Sequence, residues 1–194
     1  RRSGSLRVRT RIRREMIDSS ANFRLADPAD SAKLGEFMAR NFLAAYGHCS
    51  SPENVQAAVA KHYGESAQLR QILDPGRLNL LMLGSDDWVG HAQLSFLGTA
   101  PPGAAAAPAI ELSRFYVDTR FHGQGAAQEM MAEVKRRARA KGAASLWLSV
   151  WQESPQAIRF YGKEGFRIAG QLVFMVGDDP KDDKKVTYKQ LHVE

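Results

Sequence analysis

Cysteine is all but absent. Cys49 is the only one in 194 residues, so no internal disulfide can form and no cysteine-based metal site exists. A cytoplasmic home is the natural inference, with Cys49 read as a packing residue. Also missing is any apolar run near the roughly 20 residues that a membrane-spanning helix requires, which argues against a membrane protein. Acidic residues are scarce where positive charge gathers: residues 1–15 carry seven arginines against one glutamate, which accounts for the whole net charge of +6. The rest of the chain is neutral. No basic stripe with interleaved aromatics runs over it, so no nucleic acid is expected as a partner. Finally, no histidine is set beside a carboxylate at metal-ligand spacing; His48 reads as a loop residue and His62 as a helix-surface one, and no metal is expected.

What is present is ordinary for one soluble globular domain: 44% apolar and 25% charged residues, and no internal repeat. Residues 1–20 read as a disordered basic tail, with little to bury. A solvated extension, with Met16 as a plausible true start, competes there with an organelle-type presequence and with a nucleic-acid or membrane-surface arm. Residues 21–194 form the domain.

Within it, Asn22 to Leu25 reads as a short strand, and Asp27 or Asp30 caps a helix to about Tyr46 with Leu34, Phe37, Met38, Phe42 and Leu43 on its apolar face. Ser51 caps a second helix to about Tyr63, with Pro52 in its first turn. Gln68 to Leu73 reads as one further helical turn. Leu78–Leu83 and Asp87–Leu97 are two antiparallel strands about a Gly84-Ser85-Asp86 turn. The Pro/Ala/Gly-rich stretch from Gly98 to Ala109 reads as a mobile loop. Ser145–Trp151 is a strand, in which Trp147 and Trp151 read as core residues. A short helix follows, with Ser154 as cap, Pro155 in the first turn and Gly165 at the end. Ile168–Val176 and Lys185–Leu191 are the last two strands, separated by an acidic turn over residues 177–183.

The organising stretch is Ile110 to Ala140. Alternation and β-branched or aromatic residues make Ile110–Val117 a strand, and Arg120 to Gly125 a turn. Ala127, Met130, Met131, Val134 and Ala138 then fall at three- and four-residue steps, a helix that Gly142 ends. Glycines at 123 and 125 let the backbone approach a ligand closely, and the first amides of the helix have no internal partner. The unit suits an anion such as a diphosphate. The same strand-turn-helix occurs in many α/β domains without a ligand. With Ser145–Trp151 it forms a βαβ unit, so those two strands should be parallel neighbours.

Two motifs in this order, Tyr116-Val117-x-x-Arg120-x-x-Gly123-x-Gly125 and Ala157-Ile158-Arg159-Phe160-Tyr161-x-Lys163-x-Gly165-Phe166, resemble those of the general N-acetyltransferase (GNAT) superfamily over about Phe23 to Leu191. ELSRFYV, LWLSVW and the VGDD turn look most like bacterial spermidine/spermine-type enzymes. The resemblance implies a single α/β domain, GNAT-like, with a mixed central sheet of about six to seven strands flanked by helices. It also implies acetyl-CoA as co-substrate: the backbone at Tyr116 and Val117 would hold the pantetheine arm, and the turn at His122, Gly123, Gln124, Gly125, Ala126 and Ala127 the diphosphate. Arg120 reads equally as a phosphate neighbour or a turn salt bridge. Tyr161 matches the tyrosine that protonates the departing thiolate, or is a core aromatic beside Phe160 and Phe166. Ser154 stands where the family usually has Asn and offers one hydrogen bond without the paired donor and acceptor of the amide.

An amine with a pKa near 10.4 is held as free base at neutral pH only at about 4 kcal/mol. Glu111 is the candidate base, directly or through water, because strand alternation puts it on one face with Ser113 and Phe115; a strand-edge salt bridge is the competing reading. Backbone amides near Val117 could polarise the thioester carbonyl. Transfer to a small amine, of which a polyamine is one example, by direct attack in a ternary complex is the leading reading. A protein or peptide acceptor and a non-catalytic acetyl-CoA sensor stand beside it. A homodimer is expected by analogy alone.

Overall fold

The computed structural model describes residues 22–47, 51–96, 107–176 and 179–190. The expectations for the Arg-rich tail, for His48 and Cys49, and for most of the Gly98–Ala109 stretch lie outside them.

Among the described residues, seven strands form one mixed sheet in the order β1-β2-β3-β4-β5-β7-β6. They are β1 Asn22–Leu25, β2 Arg77–Leu83, β3 Trp88–Ser95, β4 Ala109–Val117, β5 Ser145–Trp151, β6 Arg167–Val176 and β7 Asp179–Gln190. Every neighbouring pair is antiparallel except β4 and β5. That parallel pair is the one expected from the βαβ unit.

Three helices cover one face of the sheet: α1 Ser31–Tyr46, α2 Pro52–Tyr63 and α3 Glu65–Leu73. Leu34, Phe37, Met38 and Phe42 of α1 meet Val55, Ala58 and Tyr63 of α2 over Leu81, Trp88 and Tyr116 of the sheet. The caps act as the sequence predicts: Ser51 Oγ accepts from the Asn54 amide at 3.3 Å, and Asp27 and Asp30 cap each other's backbone at the turn before α1. The expected single turn at Gln68 is a full nine-residue helix, α3. Its inner face carries a fully buried glutamine, and Gln68 Nε2 donates to the His62 carbonyl at 2.7 Å. A polar residue at a core position is why the amphipathic pattern looked too short.

The opposite face is covered by α4 Ala126–Ala140 and α5 Pro155–Lys163. Met130, Met131, Val134 and Ala138 of α4 are fully buried against Leu80, Ala92, Leu94, Ile110 and Leu148. Each of the large ones contributes about 1.5–3 kcal/mol of hydrophobic stabilisation. Lys135 and Glu164 form a salt bridge that ties α4 to the end of α5. Trp147 and Trp151 are buried, as expected.

The acidic turn proves short. β7 begins at Asp179, paired with Val176, and runs through the charged residues to Gln190. Strand pairing is made by backbone groups, which a polar side-chain pattern does not forbid.

Candidate active site

The site originates where β4 and β5 part. They pair at Ala109–Ser145, Ile110–Leu146 and Glu111–Trp147 and no further. Beyond that point β4 keeps its bonds to β3, and its other edge borders a cleft of about 790 Å³. Unpaired backbone groups along a strand edge can hold an extended ligand as another strand would. Ser149 and Val150 of β5, Tyr161 of α5 and Tyr63 of α2 line other sides.

β4 carries a bulge. Gln93 faces Arg114 and Leu94 faces Leu112, so Ser113 has no partner across the pair. One extra residue exchanges the two faces of the strand. Ile110 and Leu112 below the bulge share the α4 side with Phe115 and Val117 above it, while Tyr116 packs on the α1–α2 side. The alternation that grouped Glu111 with Ser113 and Phe115 is therefore corrected. Glu111 lies below the bulge in the doubly paired part of the strand and is not among the residues lining the cleft.

At the far end of β4 the chain turns through Asp118–Gly125 into α4. Gly123 and Gly125 have φ of +72° and +91°, conformations that side chains beyond glycine adopt only with strain. No heavy atom lies within 4 Å of where a Cβ would stand at either, and no side chain caps α4 at Gly125. The first amides of the helix thus go uncapped by any side chain, and its positive end lies beside this open turn, where an anionic group fits.

The predicted cofactor residues divide. Tyr116, Val117, His122, Gly123, Gly125, Ala127, Ser154 and Tyr161 line the cleft; Arg120, Gln124 and Ala126 do not. The Arg120 guanidinium donates to Asp118 at 3.0 and 2.9 Å and to Asp87 at 2.9 Å, the salt-bridge arm of its two readings. Those bonds, with Arg40 at 3.0 Å, hold the nearly buried Asp118 carboxyl at a pKa of about 2, chiefly through Arg120, and lock the turn to the residue before β3 and to α1. Gln124 Nε2 donates to the Arg120 carbonyl at 2.7 Å, and Ala126 is fully buried. His122 Nε2 is 2.9 Å from the Val117 carbonyl oxygen. Ser154 occupies the N-cap position of α5, yet its hydroxyl makes no capping bond. Tyr161 packs edge-on against Phe115, Phe160 and Phe166, with centroids 6.2, 5.3 and 5.6 Å away. It is an aromatic of the core rim, as in one of its readings, and also a wall of the cleft.

Sequence reasoning missed the α2 side. His62 is an exposed helix-surface residue as expected, and it also lines the cleft beside Tyr63, whose hydroxyl lies 3.3 Å from that of Tyr116. Partial burial first, then Arg114 and Lys61, hold the His62 pKa below its ordinary value. A neutral imidazole there can accept a proton. Arg114, also unremarked, lines the same region. Beneath it lies a buried polar layer: His91 and Gln93 of β3 both reach Asn79 Oδ1, at 3.2 and 2.9 Å, so His91 Nε2 must carry the proton. Among the described residues no group of three or more His, Cys, Asp or Glu could hold a metal, and no helix is long and apolar enough to cross a membrane.

Comparison with known proteins adds to this geometry. The profile of the acetyltransferase (GNAT) family matches residues 39–166. An uncharacterized N-acetyltransferase of Mycobacterium tuberculosis is 31% identical over 154 residues, 79% of this chain and 94% of that protein. A spermine/spermidine N(1)-acetyltransferase of Bacillus subtilis is 31% identical over 83 residues, 42% of this chain and 50% of that protein. Among solved structures, the PaiA N-acetyltransferase of Thermoplasma acidophilum in complex with coenzyme A aligns with a TM-score of 0.71 at 18% identity, over 88% of this chain and 99% of that one. A putative acetyltransferase of Salmonella typhimurium with its cofactor acetyl-CoA aligns at 0.59 and 18% identity, over 91% and 96%.

Proposed function

Since the chain belongs to the acetyltransferase (GNAT) family and is an acetyltransferase, we propose that its cleft takes acetyl-CoA along the free edge of β4 and passes the acetyl group directly to the amine of a small acceptor. The observation that carries this is the splay of β4 from β5, which ends at the open glycine turn of α4 and has Tyr161 across from it. The residues present fit the co-substrate. The Gly123–Ala127 turn suits a diphosphate, the β4 edge near Tyr116 and Val117 an extended amide-bearing arm, and Ser154 can give one hydrogen bond. When bound, acetyl-CoA supplies an acyl group activated as a thioester.

The remaining work is proton handling. The acceptor nitrogen must lose a proton as its bond to the acyl carbon forms, and the departing sulfur must gain one as its bond breaks. We assign the second task to the phenol of Tyr161, a reading supported by its position on the cleft wall. For the first, His62, whose pKa lies below its ordinary value, lines the cleft and is the candidate base, with Glu111, directly or through water, as the other. A polyamine acceptor draws support from the Bacillus relative alone, over less than half of this chain. A cytoplasmic setting, supported by the single cysteine, belongs to this reading as well.

Thiol release from acetyl-CoA, with mass detection of the acetylated product, tests the proposal, with Tyr161→Phe as the decisive variant. General acid catalysis contributes about 10²–10⁴ in rate, so kcat should fall by at least about 100-fold while the KM for acetyl-CoA stays within about two-fold. A rise in KM that accounts for the whole loss would refute the acid role.

A further inference from the structure

Above its bulge, β4 presents Arg114 to the α2 side of the cleft. One terminal nitrogen, Nη1, donates to the Ser113 carbonyl at 2.9 Å. Nε is buried and has no hydrogen-bond partner, and Arg114 makes no ion pair with any described carboxylate. A half-buried guanidinium on the cleft wall without a carboxylate partner is a charge that an incoming anion can offset. Nη2, at the end of the guanidinium, is neither bonded nor sealed off, and it can donate to a carboxylate oxygen that enters the cleft.

The surroundings agree. Among the described residues no Asp or Glu lines the cleft, which would leave a polycation without counter-charge there. The nearby polar groups on this side are His62 and the hydroxyls of Tyr63 and Tyr116. The guanidinium charge is felt by its neighbours too: after burial itself, it lowers the pKa of both His62 and His91. A bound anion would cancel that field and raise the basicity of His62 as the acceptor arrives.

We propose that the acceptor is an amine that also bears a carboxylate, such as an amino acid or a short peptide with a free C-terminus, and that Arg114 anchors this carboxylate on the α2 side of β4. The inference rests on the acetyltransferase reading and narrows its substrate class away from polyamines. Arg114 acts as a specificity-determining residue.

The wild-type chain supplies the first test, with no variant needed. Amino acids and dipeptides with free carboxylates are compared with their C-terminal amides and with spermidine as acceptors of acetyl groups from acetyl-CoA. Loss of one partner of a desolvated charge pair predicts a kcat/KM about 100-fold lower for the amides. Arg114→Gln should then bring the two acceptor sets to within about three-fold of each other, and Arg114→Lys should restore part of the gap. Amides or spermidine turned over as fast as the carboxylates by the wild type would overturn the proposal. So would Arg114→Gln slowing both sets equally. Calorimetry with acetyl-CoA separates the two levels of inference. If it binds but no carboxylate-bearing amine is acetylated, the carboxylate anchor alone is wrong; if it does not bind, the acetyltransferase reading falls and this one with it.

Discussion

Single residues decide what the anion cradle can tolerate. At Gly125 the φ of +91° and the open space beyond it make a clean experiment, because a methyl group there meets no protein atom. Gly125→Ala should destabilise the chain by about 1–2 kcal/mol through left-handed strain. The same methyl stands where a diphosphate would lie, so acetyl-CoA affinity should drop at least about tenfold by calorimetry. Unaltered affinity would mean that the turn holds no phosphate. Arg120 and Ser154 illustrate how residue type underdetermines role. An arginine in a glycine turn suits phosphate, yet Asp118 and Asp87 claim it. A serine before Pro155 suits a cap, yet its hydroxyl makes no capping bond.

At the scale of elements, the site depends on how closely α1 approaches the end of α2. A Cβ built at Gly35 collides with the carbonyl oxygen of Tyr63, so only glycine allows this crossing. Gly35→Ala must push away the segment that carries His62 and Tyr63, at about 1–3 kcal/mol of overpacking. The expected signature is a lower Tm with a raised acceptor KM and an unchanged acetyl-CoA KM, because the cofactor side proposed above lies on β4, α4 and α5. The bulge at Ser113 works at this scale as well. Period-two alternation read from the sequence holds on each side of it and fails across it, which is why Glu111 was placed on the wrong face.

For the whole molecule, the buried polar layer sets a pH limit on stability. His91 is fully buried, and burial first, then Arg114, pushes its pKa down to about 3. The unfolded chain binds a proton near pH 6.5 that the folded chain refuses. Stability is therefore complete above pH 6.5 and falls as pH drops from there toward 3, by up to about 1.4 kcal/mol per unit. Asp118, with its folded pKa of about 2, adds its loss only below about pH 4. Thermal unfolding between pH 6.5 and 4.5 should show a decline in the wild type that His91→Gln flattens. Parallel declines in the two would assign the effect to other groups.

Local physics made the order and type of most elements readable in the sequence. Caps at Ser51 and Asp27, the core stripe of α4, the βαβ unit and the glycine turn each depend on neighbours a few residues away in the chain. The sequence also carried the family, because both motifs of the resemblance are contiguous. Tertiary structure alone decided the rest. That Asp87 joins Asp118 on Arg120, which face Glu111 shares, and that His62 and Arg114 line one cleft are settled by pairings between residues tens of positions apart. Such contacts arise from packing and from a single inserted residue in a strand, neither of which leaves a periodic trace in the sequence.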